Sequence, residues 1–197
     1  MKPYTKFVAA LLLGLASTSI LAQDDPHAED RKLFLNYLAT IEAALNEGAI
    51  DKVTPLMRDD VVVTFVNAEV TRGLDEISAY YNKVLGGSNA LLSGYETRAE
   101  VSAPARFFGD TAIADGTSID TYSFPTGDSM QMDTKWNAIL VREDGSWKVA
   151  QLNFSANPFN NPILGAARDQ LVTFSVIALV VGLIIGIVGG RISKKSA

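Results

Sequence analysis

The chain has 197 residues, and 17 Lys and Arg against 22 Asp and Glu leave a net charge of −5. That length fits one domain with appendages. The absence of cysteine excludes a disulfide framework, a thiol nucleophile and thiolate metal sites, and a single histidine, His27, excludes a multi-histidine metal site. A pI near 4.9 argues against nucleic-acid binding, which needs a basic footprint. Mean hydropathy is +0.15 although 20% of residues are charged, because apolar residues concentrate at the two ends.

Residues 1–22 read as an export signal. Lys2 and Lys6 give a positive start, Phe7 to Leu15 form an apolar run, and Ala22 with Ile20 before it makes a small-residue cleavage site. The rival reading is an uncleaved anchor. The uncharged stretch Phe7 to Ala22 has 16 residues, short of the ~20 that cross a bilayer.

Residues 23–162 are long enough for one compact domain with its own core. Asp25-Pro26 predicts a helix start, and Phe34, Tyr37, Leu38, Ile41, Ala44 and Leu45 recur at helical spacing until Gly48. Ile50 to Met57 predicts a short second helix, limited by Pro55. Val61 to Val66, β-branched and aromatic, predicts a strand. Asp75 to Leu85 predicts a third helix, with Ile77, Tyr81 and Val84 on one side. From residue 91 the period changes to two, and four long strands are expected over 91–107, 111–124, 129–142 and 146–157. The turns between them carry Gly and Asp, as in an antiparallel meander. Helices followed by strands predict an α+β layer with helices packed on one face of a curved sheet.

Residues 163–170 read as a linker. Leu171 to Gly190 holds 20 residues without a charge, a helix of ~30 Å, the thickness of a bilayer core. The basic tail 191–197 follows, with Arg191, Lys194 and Lys195 expected to stay cytoplasmic. Both ends then place residues 23–170 outside a bacterial inner membrane, in the periplasm. Gly182, Gly186 and Gly190 share one helix face and are candidates for helix packing. A cleavable C-terminal sorting tail is the alternative, although no cleavage motif precedes the span.

The stretch Ala-Ala-Leu-Asn-Glu-Gly (43–48), then Arg-Asp-Asp-Val (58–61), Gly73 with Ile77, Tyr80 and Tyr81, and the ending Glu-Asp-Gly-Ser-Trp-Lys-Val-Ala-Gln (143–151) resemble nuclear transport factor 2-like (SnoaL-like) domains. The resemblance covers residues 27–158. It implies a cone-shaped α+β domain whose concave sheet face and helices enclose a pocket, often dimerising through the sheet. Members include isomerases, dehydratases, cyclases, binding modules and assembly domains, so fold alone does not give function. The ketosteroid isomerase branch needs a base Asp, plus a Tyr and a protonated Asp as an oxyanion hole. A gapless alignment through Ala43 to Asp60 puts Ile41 and Phe65 at the Tyr and base positions, and counting back from the Gly145 turn puts Asn137 at the second Asp. That chemistry is therefore not matched.

His27 lies in an acidic stretch and reads as a solvated side chain. Asp120 and Tyr122 share a strand face, as do Asp133, Lys135 and Asn137. No catalytic residue is assigned. Asp120 and Tyr122, with Asn137 as a weaker donor, are the candidates for acid–base work, against a solvated face with cross-strand ion pairs. Tyr37, Phe65, Tyr81, Trp136 and Phe154 are the expected ligand contacts. Ala150, Leu152 and Phe154 are expected on one face of the last strand, with Gln151 and Asn153 on the other. No metal, cofactor or nucleic-acid partner is implied.

The leading reading is a non-catalytic, membrane-anchored module that binds a small apolar ligand, or an envelope assembly partner, and self-associates as a homodimer or larger homo-oligomer. The first alternative is an isomerase-, dehydratase- or hydrolase-type enzyme using Asp120 and Tyr122, which predicts Asp120 buried in an enclosed cavity. The second is an oligomerisation scaffold, which predicts a closed pocket and an apolar outer sheet face. Residues 23–162 hold 11 Lys and Arg against 21 Asp and Glu, a charge of −10, so anionic headgroups should repel the domain and attachment should rest on the helix.

Overall fold

The computed structural model of the protein describes residues 25–195. The expected export signal and the last two residues of the tail lie outside the described residues. Helix α1 (Ala28–Glu47) starts two residues after Pro26, with His27 at its N-cap and the Asp25 carboxylate accepting the His27 backbone N–H at 3.0 Å. It ends at Gly48, whose φ of 72° lets the Gly48 and Ala49 amides close back on Leu45 and Ala44. The expected short helix is two single 3₁₀ turns, Ile50–Lys52 and Thr54–Leu56. Strand β1 (Met57–Thr64) turns back into β2 (Val70–Arg72), a strand the periodicity did not announce because it has three residues. Helix α2 (Gly73–Leu85) follows directly, and the Glu76 carboxylate accepts the Arg72 amide at 2.8 Å, tying down the helix entry.

The expected strand 91–107 is two strands, β3 (Gly94–Val101) and β4 (Arg106–Phe108). Pro104 lies in the break and has no N–H for a ladder. Strands β5 (Thr111–Ser123), β6 (Ser129–Glu143) and β7 (Ser146–Ala156) follow the expected meander closely. All seven strands form one sheet of order β2-β1-β7-β6-β5-β3, with β4 also on β5. The pairing is antiparallel except that β1 runs parallel to β7, so the sheet is mixed rather than wholly antiparallel.

Ala150 is a bulge. Leu140 pairs with Val149 and Ile139 with Gln151, so the register skips it. The extra residue inverts the alternation along β7. Trp147 and Val149 before it, and Leu152 and Phe154 after it, all join the core or pack against it. Ala150 therefore does not continue the Leu152–Phe154 row.

Helices α1 and α2 cover the inner face of the sheet. Phe34 of α1 meets the Trp147 ring edge-on at 5.3 Å. The Asn46 amide clamps the outer edge of β3, donating to the Thr97 carbonyl at 3.0 Å and accepting the Thr97 N–H at 2.7 Å. The Glu42 carboxylate accepts the Ala99 N–H at 2.7 Å. These contacts occupy backbone groups that an open edge would offer to another chain. On β5, Gly116 has no side chain because the Trp136 indole and the Glu100 carbonyl occupy the place of a Cβ.

Helix α3 (Pro162–Lys195) includes residues 163–170, expected as a linker, because Asn161 caps it by accepting the Leu164 amide at 2.9 Å. Its stretch Pro162–Ile185 is long and apolar enough to cross a membrane and is not buried in the domain. Gly182, Gly186 and Gly190 all fall within α3.

Candidate functional site

Between α1 and the sheet lies a cavity of about 420 Å³, walled by Phe34, Leu38, Ile41, Trp136, Leu152 and Phe154 among others. A second cavity of about 130 Å³ lies beside it, towards α2. The two share Ile41, Leu45, Tyr95, Leu152 and Phe154 as walls. Ala114 and Ala138, paired across β5 and β6, both line the larger cavity, where small side chains leave it room.

The β5 inner face brings Asp120 to the smaller cavity, and the side chain is only 2% exposed. Its carboxylate collects hydroxyls from three strands. Tyr95 donates to Oδ1 at 2.9 Å and Thr97 to Oδ1 at 2.6 Å, both from β3. Thr134 of β6 donates to Oδ2 at 2.6 Å, and Ser118 lies 3.3 Å from the same oxygen and 2.6 Å from Thr134 Oγ1. Hydroxyls thus occupy both carboxylate oxygens. No Lys, Arg or His among the described residues forms an ion pair with it.

Tyr95 and Tyr122 stand together, ring centroids 5.3 Å apart. Burial pushes both phenols well above their ordinary value, and the Asp120 charge pushes them further. Both therefore stay protonated through the neutral range. Tyr81 is also raised by burial, and Tyr80 by burial and by Glu69.

The expected ligand contacts divide between the cavities. Tyr37 and Trp136 line the larger, Phe65 and Tyr81 the smaller, and Phe154 both. Tyr122 lines the smaller cavity beside Asp120, but the hydroxyl on that carboxylate is Tyr95's. Asn137 is not in either cavity. It lies on the exposed outer face of β6, where its carbonyl oxygen accepts the Asn153 amide at 3.0 Å. Its neighbours Trp136 and Ala138 point inward, so the position reached by counting back from the Gly145 turn lies on the face away from the cavities. Ile41 and Phe65 do line the cavities, placing apolar groups at the other two positions.

Four members of the Asp120 cluster escaped the sequence reading: Tyr95, Thr97, Ser118 and Thr134. A signal existed, since Ser118 and Asp120 share parity on one strand and Thr134 shares parity with Trp136 on the next. Joining them required the pairing of Thr97 with Asp120 and Ser118 with Thr134, which is non-local.

His27 is not simply solvated. Its ring stacks on Phe107 at 3.8 Å and contacts Asp30 at 3.2 Å. Asp30 also accepts the Trp147 indole N–H at 2.8 Å and the Arg142 guanidinium at 2.7 Å. Burial pushes the Asp30 carboxyl up, but the Trp147, His27 and Arg142 contacts outweigh it and hold the group below its ordinary value.

Residues 26–153 match the SnoaL-like domain family. The chain belongs to that family. Solved structures agree on its nuclear transport factor 2-like fold. The hexachlorocyclohexane dehydrochlorinase LinA-type3 from Novosphingobium barchaimii LL02 is 14% identical, with a TM-score of 0.58 over 66% of this chain and 87% of that one. A ketosteroid isomerase-like protein from Erwinia carotovora atroseptica is 19% identical, with a TM-score of 0.56 over 66% and 97%. A nuclear transport factor 2-like superfamily protein from Salmonella enterica serovar Typhimurium is 12% identical, with a TM-score of 0.54 over 64% and 89%. A sequence comparison with curated proteins finds no match. At these identities the likeness concerns the fold. This SnoaL-like domain keeps a pocket between helices and sheet, and its outer sheet face carries Gln131, Asp133, Lys135 and Asn137 along β6 beside the exposed Ile119 of β5.

Proposed function

We propose that this SnoaL-like domain binds a small, mainly apolar molecule and is held at a membrane by α3. The observation that carries the reading is the cavity of about 420 Å³ with aliphatic and aromatic walls, within the size range of small-molecule sites. Tyr37, Trp136 and Phe154 contact the ligand in the larger cavity, and Phe65 and Tyr81 in the smaller. Native mass spectrometry of the full chain in non-ionic detergent tests this. A retained small molecule is expected, and an empty protein that binds no apolar probe would sink the reading. The same spectrum reports whether the chain self-associates as a homodimer.

The topology proposed with it is an export signal at residues 1–22, the domain in the periplasm, α3 as the inner-membrane anchor and a cytoplasmic tail. Protease added to spheroplasts should degrade the domain and leave a small membrane fragment. A protected domain would overturn that orientation.

A second reading is acid–base catalysis through Asp120 with Tyr95 and Tyr122. It is favoured by the burial of Asp120 in the cavity wall. It is opposed by the hydroxyls that already occupy both carboxylate oxygens. If the molecule retained by the Asp120→Asn variant is chemically different from the one retained by the wild type (by mass and by NMR, since an isomer keeps its mass) and the wild-type protein converts the former into the latter, the domain is an enzyme. No conversion returns the function to binding.

A further inference from the structure

The smaller cavity has a chemistry that its apolar neighbour lacks. Phe65 and Tyr80 stack at 3.7 Å on one wall, Tyr95 and Tyr122 pair at 5.3 Å on another, and Tyr81 and Phe154 add two more rings. Apart from tyrosines, Asp120 is the only ionisable side chain among the residues lining it. It is nine-tenths and more buried and has no cationic partner among the described residues. A buried carboxylate held by neutral hydroxyls is an expensive arrangement, and a cation is what would compensate it. Aromatic ring faces are the other recognised partner of an organic cation. A metal ion fits poorly, because a hard cation wants six or more oxygen ligands, with carboxylates among them, and the described residues hold no cluster of three or more carboxylates or imidazoles. The charge of −10 over residues 23–162 further raises the local concentration of cations.

We propose that the smaller cavity is a subsite for a tertiary or quaternary ammonium group, and that the ligand is a cationic amphiphile whose apolar part fills the larger cavity. The volumes of about 130 and 420 Å³ suit a compact head and a longer body. The shared walls, Ile41, Leu45, Tyr95, Leu152 and Phe154, place head and body side by side. The Asp120 charge would act on the ammonium group across the hydroxyls, without a proton transfer or any covalent step. This inference rests on the binding reading above and names its ligand class.

The test is calorimetric titration of the full chain in a non-ionic micelle with hexyltrimethylammonium and, separately, with hexan-1-ol, which share a six-carbon tail. The cation is expected to bind at least tenfold more tightly than the alcohol. Asp120→Asn should remove that preference, weakening the cation at least tenfold more than the alcohol. Tyr122→Leu, which leaves the carboxylate and its donors in place, should weaken the cation severalfold more than the alcohol, and it serves if the Asp120 variant does not fold. Equal affinities in the wild type, or a preference that survives Asp120→Asn, would overturn the ammonium subsite while the cavity reading stands. Binding of neither probe would overturn both.

Discussion

Thr97 and Asp120 face each other across the β3–β5 ladder, and the Thr97 hydroxyl donates to Asp120 Oδ1 at 2.6 Å. The same Thr97 holds α1 through its backbone, in both directions, on the Asn46 amide. One residue thus ties the first helix to the edge strand and the edge strand to the buried carboxylate. The charge at the cavity wall is therefore part of the fold as well as of the site.

Removing one donor from that carboxylate should be costly. Thr134→Val keeps the shape but leaves Asp120 Oδ2 without its 2.6 Å partner. An unsatisfied buried acceptor costs roughly 1–3 kcal/mol, more for a charged one. Urea unfolding should show the midpoint fall with an unchanged slope. An unchanged midpoint would mean that Ser118 or water replaces Thr134 at no cost.

Gly116 is fixed by its neighbours. An alanine there would place its Cβ into the Trp136 ring and the Glu100 carbonyl. The Trp136 indole also donates to the Thr117 carbonyl at 3.1 Å, so the ring cannot move freely. Overpacking of this kind costs roughly 1–3 kcal/mol. Gly116→Ala should lower the melting temperature and change the Trp136 emission. Wild-type stability in this variant would show that the ring has room to shift.

Acid should act on Asp30. Its carboxyl is held below the ordinary 3.8 by the Trp147 indole, His27 and Arg142 against the upward push of burial. A depressed folded value means that the ionised group contributes stability above the unfolded pKa. That contribution is lost as pH falls through the folded one. Stability should therefore decline below about pH 4, where unfolded carboxyls take up protons. Asp30→Asn should flatten that decline and lower stability at neutral pH. Parallel wild-type and variant curves of stability against pH would refute the assignment.

Much of this fold was legible because its signals are local. The α1 periodicity, the Gly48 stop and the Gly- and Asp-bearing turns of the β5–β7 meander depend on residues close in sequence. The missing pieces depend on residues far apart. The parallel pairing of β1 with β7 joins Val63 to Leu152, which no local pattern announces. The bulge at Ala150 reverses parity within a strand, so strict alternation separated Trp147 from Leu152 although both serve the core. The site shows the same division. Asp120 was readable as a candidate from its own strand, whereas Tyr95, Thr97 and Thr134 became its partners only through cross-strand register. Asn137, reached by counting back along β6 from the Gly145 turn, lies one position from the inward-facing Trp136, and a one-residue step along a strand changes the face.

The cavity itself can be closed from its floor. Ala114 and Ala138 face each other across β5 and β6, and both line the larger cavity. A phenylalanine at position 114 would extend into empty space instead of into packed atoms. It should therefore change stability by less than the ~1–3 kcal/mol that overpacking costs. Ligand binding should respond differently, because the aromatic ring would occupy the volume that the apolar body needs. Ala114→Phe is expected to unfold within a few degrees of the wild type and to lose both the copurifying molecule and affinity for hexan-1-ol. Retention of full affinity in a folded Ala114→Phe protein would show that the ligand lies elsewhere on the domain.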